Sequence, residues 1–359
     1  MEVWEKVNVS NPEFFKTLHA RYGCVACHGG VADAADKETA HEGLIPDPSQ
    51  GQACANCHRQ EVESLADSLH VDLEGYYTAL RARSDDAHWD QLVVGFELHC
   101  TQCHATCGQC HVSRPTFLEG GLATGHKFNR TPSMNLSCTA CHGSRVEAEY
   151  KGKNEGVHGD VHWTKQGMTC FECHTGDELH GALGDRDHRY DGPPEPSCTD
   201  VDCHQTVGSQ EDEVMQHSEA HLTRLSCQVC HAQPYKQCYN CHVQKDENGV
   251  PYFKTDPSQV FVKIGRNPRQ SEERPWEYVV LRHVPVARDT FAYYGEGLLP
   301  NFDALPTWTY ATPHSIAKKT PQNQSCDACH GNVELFLTAE QVAADELEAN
   351  QDVIVNRSP

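Results

Sequence analysis

The chain has 359 residues, a formal net charge of −22 and only 38% hydrophobic residues, with a mean hydropathy of −0.62. Such acidity gives no electrostatic support to a nucleic-acid role, and no stretch approaches the roughly 18 apolar residues of a membrane span. A chain this polar is short of side chains for a core of its own, while 20 cysteines and 24 histidines are far in excess of ordinary usage.

The opening residues MEVWEKVNVSNPEFF have neither the basic nor the apolar region of an export signal. Asn11-Pro12 predicts a helix start, with Asn11 as cap and Pro12 at the first position. Phe15 and His19 then share a face, and Gly23 ends the helix. Cys24/Cys27/His28 comes next as Cys-x-x-Cys-His, a pattern that returns at Cys54/Cys57/His58. There Val62, Leu65, Leu69 and Leu73 predict a second helix running from His58, with His70 beside them. The pattern continues at Cys100/Cys103/His104, Cys107/Cys110/His111, Cys138/Cys141/His142 and Cys170/Cys173/His174. A stretched copy is next, Cys198-TDVD-Cys203-His204, with four residues between the cysteines instead of two. Regular copies then occur at Cys227/Cys230/His231, Cys238/Cys241/His242 and Cys326/Cys329/His330. These ten, called motifs 1 to 10 in chain order, use all 20 cysteines. Between motifs 9 and 10, the runs VPYFK, QVFVKIG, WEYVVLRHVPV and FAYYG predict a few strands or an extended flap over 243–325. After motif 10, Thr338 and Gln341 form a capping box ahead of a helix through about Ala349.

The chemistry explains the spacing. Two thiols on one short turn add to the two vinyl groups of a haem, and the next histidine then lies under the ring as an axial iron ligand. Zinc sites need paired Cys-x-x-Cys units and have no requirement for histidine at the following position, and a disulfide scaffold has no use for it either. Ten motifs therefore predict ten haem c groups, with His28, His58, His104, His111, His142, His174, His204, His231, His242 and His330 as proximal ligands.

A six-coordinate haem needs a second ligand, and fourteen histidines lie outside the motifs. His19 and His70 are chosen from the predicted helices. His41, His126, His162, His180, His188, His283 and His314 are chosen because each sits in a Gly/Pro/Asp-rich loop. His217 and His221 are i, i+4 neighbours that one helical face would present together, and His221 is preferred. His99, His158 and His88 rank lower, and Met134 and Met168 are not needed.

Motif starts lie about thirty residues apart in most places, a quasi-repeat that suggests a linear array. Cys100 and Cys107, and Cys227 and Cys238, lie so close in sequence that their rings must be near contact. The expected architecture is a haem-dominated core of loops and short α-helices, with a few β-strands in 243–325. A nine-haem array spans 1–242, a haem-free strand-rich segment spans 243–325, and the tenth haem with a C-terminal helix spans 326–359, together one continuous domain. Haem attachment to cysteine takes place outside the cytoplasmic membrane, so a periplasmic or extracellular location is expected, with the export signal removed from this numbering.

The segments CHATCGQCHVSRP, CTACHGSRVEAEY, DVHW and LSCQVCHAQPYKQCYNCH are similar to ones in large multihaem c-type cytochromes of anaerobic bacteria. That resemblance supports His162, His188, His283 and His314 as axial ligands. The array also resembles, more loosely, extracellular cytochromes that polymerise into conducting filaments, in some of which one subunit supplies a histidine to a haem of the next. The resemblance implies electron transfer, with redox partner proteins, an outside acceptor or further copies of the chain as partners. The alternative is a reductase or oxidase of nitrogen or sulfur compounds that keeps one iron open, with the stretched motif 7 as the oddity that would mark it and Arg186, Arg189 and Arg224 nearby as anion binders.

Overall fold

A computed structural model describes residues 9, 11–101, 105–115, 118, 120–184, 186–191 and 196–356. The chain divides into two compact units whose segments interleave along the sequence. Unit 1 takes 1–74, 101–143 and 175–186, and unit 2 takes 75–100, 144–174 and 187–359. This division cuts across the three expected segments. Among the described residues, no helix is long and apolar enough to cross a membrane.

Unit 1 is built from single turns. Asn11 caps as expected, its side chain accepting from the Glu13 amide, but the first helix breaks. A 3-10 turn over Pro12–Lys16 gives way at Thr17, whose extended backbone starts a second short helix, Leu18–Arg21. The Thr17 hydroxyl caps that second piece by accepting from the Ala20 amide. The predicted second helix is likewise shorter, Arg59–Leu65. His70 lies beyond its end, and Leu73 adopts a left-handed backbone with φ 57°. Leu73 and Met134 are the only buried hydrophobic residues of this unit among those described. Phe15, Leu18, Tyr22, Val31, Leu44 and Ile45 all lie exposed rather than packed in a core.

Unit 2 has a side-chain core. Its centre is a three-stranded antiparallel sheet of β5 (Ile264–Arg266), β6 (Tyr278–His283) and β7 (Trp308–Tyr310), in the order β5-β6-β7. Ile264 faces Val280, and Leu281 faces Tyr310. Every residue of β6 from Tyr278 to Arg282 is buried, the near-continuous apolar pattern of a strand covered on both faces. Tyr278 and Val280 point to one cluster with Val229, Tyr235, Ile264 and Phe336. Val279 and Leu281 point to the other, with Tyr190, Trp308, Leu337 and Val353. Each fully buried aliphatic side chain here contributes roughly 1.5–3 kcal/mol. Two smaller antiparallel pairs join β1 (Tyr235–Lys236) to β4 (Val260–Phe261) and β2 (Cys241–Lys245) to β3 (Pro251–Thr255), the second a hairpin. The predicted strands are therefore present except in FAYYG, which forms turns.

The C-terminal helix expected through Ala349 does not form. Thr338 and Gln341 do make the capping box, but the turn stops at Gln341 and Val342 is extended. Tertiary contacts win here. Val342 enters the core, the Glu346 carboxylate accepts from the Thr307 hydroxyl, and Asn350 accepts from the Trp308 amide.

Candidate functional site: paired histidines at the cysteine motifs

Most motifs fold into one turn closed by the same hydrogen bond. The histidine amide donates to the carbonyl of the first cysteine in His28→Cys24, His58→Cys54, His174→Cys170 and His330→Cys326, at 2.8–2.9 Å. This i→i−4 closure places both thiols and the imidazole on one side of the turn. The stretched motif 7 closes in the same way, His204 donating to the Cys198 carbonyl at 3.1 Å. Its two extra residues are absorbed in a turn where Asp202 takes φ 70°. Motif 9 differs, for Cys241 and His242 lie on strand β2 and its backbone is extended.

Among the described residues no disulfide joins the cysteines. Cys57 and Cys141, the second thiols of motifs 2 and 5, are not enclosed by protein as residues of a buried site would be. Both are exposed, as are Cys24, Cys173, Cys198, Cys203 and Cys326. The reason is local. Cys57 ends the 3-10 turn Cys54–Asn56, its amide donating to the Cys54 carbonyl at 3.0 Å, and that turn contributes no buried residue. Cys141 lies in the four-residue helix Thr139–His142, which contributes no buried residue. Protein packing therefore does not mark Cys57 or Cys141 as site residues, and their assignment rests on motif spacing alone. Cys27, Cys110, Cys138, Cys230, Cys238 and Cys329 are half-buried.

Among the described residues, eight motif histidines each lie beside a second histidine ring. In unit 1 the pairs are His58 with His19 (ring centres 6.4 Å apart), His28 with His126 (6.0 Å), His142 with His70 (6.1 Å) and His111 with His180 (6.1 Å). In unit 2 they are His204 with His162 (6.0 Å), His174 with His314 (6.4 Å), His231 with His217 (6.2 Å) and His330 with His221 (6.0 Å). Two imidazoles on opposite sides of one metal, with bonds of about 2 Å and ring nitrogens about 1.1 Å from the ring centres, stand roughly 6.2 Å apart. The pairs match that spacing. Two histidines per site also fit a haem, which supplies the remaining four ligands itself. Among the described residues no group of three or more His, Cys, Asp or Glu is arranged to hold a bare metal ion.

The outer hydrogen bonds fix the tautomer and orientation of several of these rings. Nδ1 of His28 lies 3.0 Å from the Ile45 carbonyl, that of His111 2.7 Å from Asn129 O, that of His231 3.1 Å from Ala317 O and that of His221 2.9 Å from Gln216 O. A carbonyl can only accept, so Nδ1 carries the proton and Nε2 presents its lone pair. His162 and His217 make the same bond to carboxylates, Asp160 at 2.8 Å and Asp212 at 2.6 Å. Desolvation lowers the pKa of His19, His126, His180 and His231 and pushes His314 down to about 3. A neutral ring is the form that binds iron. His162 is shifted the other way, its hydrogen bond to Asp160 raising it.

The thiols also approach one another. Cys54 of motif 2 and Cys107 of motif 4 lie within hydrogen-bonding reach, as do Cys198 of motif 7 and Cys227 of motif 8.

Of the expected second ligands, His19, His70, His126, His162, His180, His221 and His314 each stand opposite a motif histidine. His217 does too, although spacing alone favoured His221 over it. The two do not share one helical face, because Ser218 is extended and separates the turn Met215–His217 from the helix Glu219–Leu222. His217 therefore faces motif 8 and His221 motif 10. His41, His188 and His283 are not brought opposite a motif histidine in the described residues. His41 closes the short helix Lys37–Ala40, its amide donating to the Lys37 carbonyl. Nδ1 of His188 accepts the Tyr190 amide at 3.2 Å. His283 stacks on Trp308 at 4.7 Å, and its Nε2 is 2.9 Å from Glu346. Nε2 of His99 contacts the Tyr294 hydroxyl at 2.8 Å. Cys103 and His104 of motif 3 lie outside the described residues. Asp160 and Asp212 were not expected from the sequence, where their only local signal is a carboxylate two and five residues before a histidine. Comparison with known proteins returns no matching family model, no similar curated protein and no similar solved structure.

Proposed function

We propose that this chain is an electron-transfer protein carrying c-type haems at its cysteine motifs, ten by motif count, outside the cytoplasmic membrane. The observation that carries this reading is the set of eight histidine pairs at 6.0–6.4 Å, each with one member in a cysteine motif. Imidazole on both faces leaves an iron no position for a substrate, and leaves it the task of passing single electrons. The thiol approaches between motifs 2 and 4 and between motifs 7 and 8 would set neighbouring haems close, which favours fast exchange. The charge of −22 stabilises ferric over ferrous iron and predicts mostly negative midpoint potentials. Redox partner proteins, an extracellular acceptor or copies of the chain in a filament would exchange electrons with it. Intact-protein mass spectrometry tests the reading, which predicts added mass for ten haems. The bare polypeptide mass would overturn it.

A second reading, a reductase or oxidase with one open iron, has one observation in its favour. Among the described residues no histidine ring stands opposite His242, whose Nδ1 is instead 3.8 Å from an Asp289 carboxylate oxygen. This moves the candidate from the stretched motif 7, which has His162 opposite, to motif 9. Electron paramagnetic resonance separates the readings. A stoichiometric high-spin ferric signal favours the open iron, and a purely low-spin spectrum favours the conduit.

A further inference from the structure

Among the paired histidines, His28, His111, His221 and His231 direct Nδ1 at neutral backbone carbonyls. His162 and His217 direct it at carboxylates instead. These two are the rings opposite motifs 7 and 8, whose thiols Cys198 and Cys227 are within hydrogen-bonding reach. Asp160 is nearly enclosed, with 3% of its side chain exposed. Its Oδ1 accepts both the amide and the Nδ1–H of His162 at 2.8 Å, and its Oδ2 accepts the Ile316 amide at 2.8 Å. Ile316 is two residues beyond His314, the ring opposite motif 6. No lysine or arginine pairs with Asp160 in the described residues, and its side-chain partners are the His162 ring and the His162 and Ile316 amides. Asp212 is held similarly by the Gly208 and Val214 amides and its side chain is 9% exposed, but the residues around it are mostly exposed, so nearby solvent screens its charge more than that of Asp160.

We propose that Asp160 and, more weakly, Asp212 make the haems of motifs 7 and 8 an adjacent low-potential pair within the electron-transfer chain. A carboxylate that accepts the Nδ1 proton makes the imidazole a stronger donor through Nε2, which favours Fe(III) over Fe(II). A fixed negative charge in poorly screened surroundings acts in the same direction. Each transfer moves one electron between irons, with no bond made or broken. The electron path through unit 2 is therefore not a smooth slope, because two neighbouring haems form a step that is harder to reduce than haems whose rings face only carbonyls. The inference rests on the reading of the motifs as haem sites.

The test uses the haem-loaded full chain in a potentiometric titration followed by absorbance and electron paramagnetic resonance. Asp160→Asn is expected to raise the lowest-potential fraction by at least tenfold in its reduction equilibrium, which is about 59 mV for a one-electron couple, with its low-spin signal retained. Asp212→Asn is expected to shift the same fraction by less. Asp160→Glu, which restores a carboxylate, returns the potential toward that of the parent. Glu211→Gln removes an exposed carboxylate of the same loop and leaves the titration unchanged. An Asp160→Asn titration that overlays the parent curve overturns the proposal. So does loss of the low-spin signal in both Asp160→Asn and Asp160→Glu, which would make Asp160 a support for the ring and nothing more. A preparation without haem mass would instead sink the functional reading itself.

Discussion

Units 1 and 2 each set four histidine pairs at the same spacing, yet they reach it by different means. In unit 2 the rings hang from a framework of ordinary protein. The sheet β5-β6-β7 is buried on both faces, and a fully enclosed Arg282–Glu149 ion pair ties it to His314. Glu149 accepts from Arg282 at 2.5 Å and from the His314 amide at 2.9 Å. Unit 1 has no such framework. Its described residues offer two buried hydrophobic side chains, a set of single turns closed by local hydrogen bonds, and apolar residues such as Phe15, Leu18 and Tyr22 that are 59–64% exposed. Nucleating isolated turns is unfavourable without packing to support them. Under the proposed function, the two units depend on the porphyrin to different degrees: in unit 2 it would be added to a core, and in unit 1 it would be the core.

The most severe way to break that contrast is to withhold haem. In a chain made without it, hydrogen exchange is expected to show unit 1 amides losing protection by on the order of a hundredfold or more while β6 keeps its own. Equal protection in the two units would refute the contrast. Next in size, Glu149→Ala leaves the Arg282 guanidinium buried without its partner and is expected to cost unit 2 about 3–5 kcal/mol, read as a lower denaturant midpoint for the sheet. A milder change, Ile264→Val, removes one methyl group from a fully buried site and is expected to cost about 0.5–1.5 kcal/mol. The matching Ile45→Val in unit 1, where the side chain is exposed, should stay within about 0.5 kcal/mol in the haem-free chain. The smallest effect is an acid limb in unit 2. Burial raises the Glu346 carboxyl, but hydrogen bonds from His283 and Thr307 outweigh it and hold the pKa below normal. A depressed carboxylate contributes stability above its unfolded pKa and loses it as pH falls through the folded one. Glu346→Gln should therefore flatten the decline in sheet stability below about pH 5, measured by thermal melts across pH.

Parts of the site are plain in the primary structure because they are local. The positions i, i+3 and i+4 of most motifs come together in one local turn, motif 9 on strand β2 being an exception, so the grouping of each motif's thiols and ring is largely a matter of spacing. How far each thiol is covered does not, as exposed Cys57 and half-buried Cys54 of one motif show. The strand β6 is equally plain, since five consecutive buried positions need a run such as YVVLR. Helix lengths are less legible. Thr17 and Ser218 each break a predicted helical face because the rings on either side must reach different partners. The expected C-terminal helix stops at Gln341, while Val342, Glu346 and Asn350 pack on and bond to the strand β7 region, contacts that no local pattern announces.

From its residues alone the protein declares its cysteine–histidine motifs, their number and spacing and its strong negative charge. Only the tertiary structure decides which rings meet. The paired histidines lie between fourteen and 140 residues apart, as His217 and His231 or His174 and His314 show, and no local spacing encodes such distances. Whether a spare histidine turns its Nε2 toward a motif or spends it on a carboxylate, as His283 does with Glu346, is set by what packs around it. Covalent geometry governs the first kind of knowledge; the closure of long loops against competing contacts governs the second.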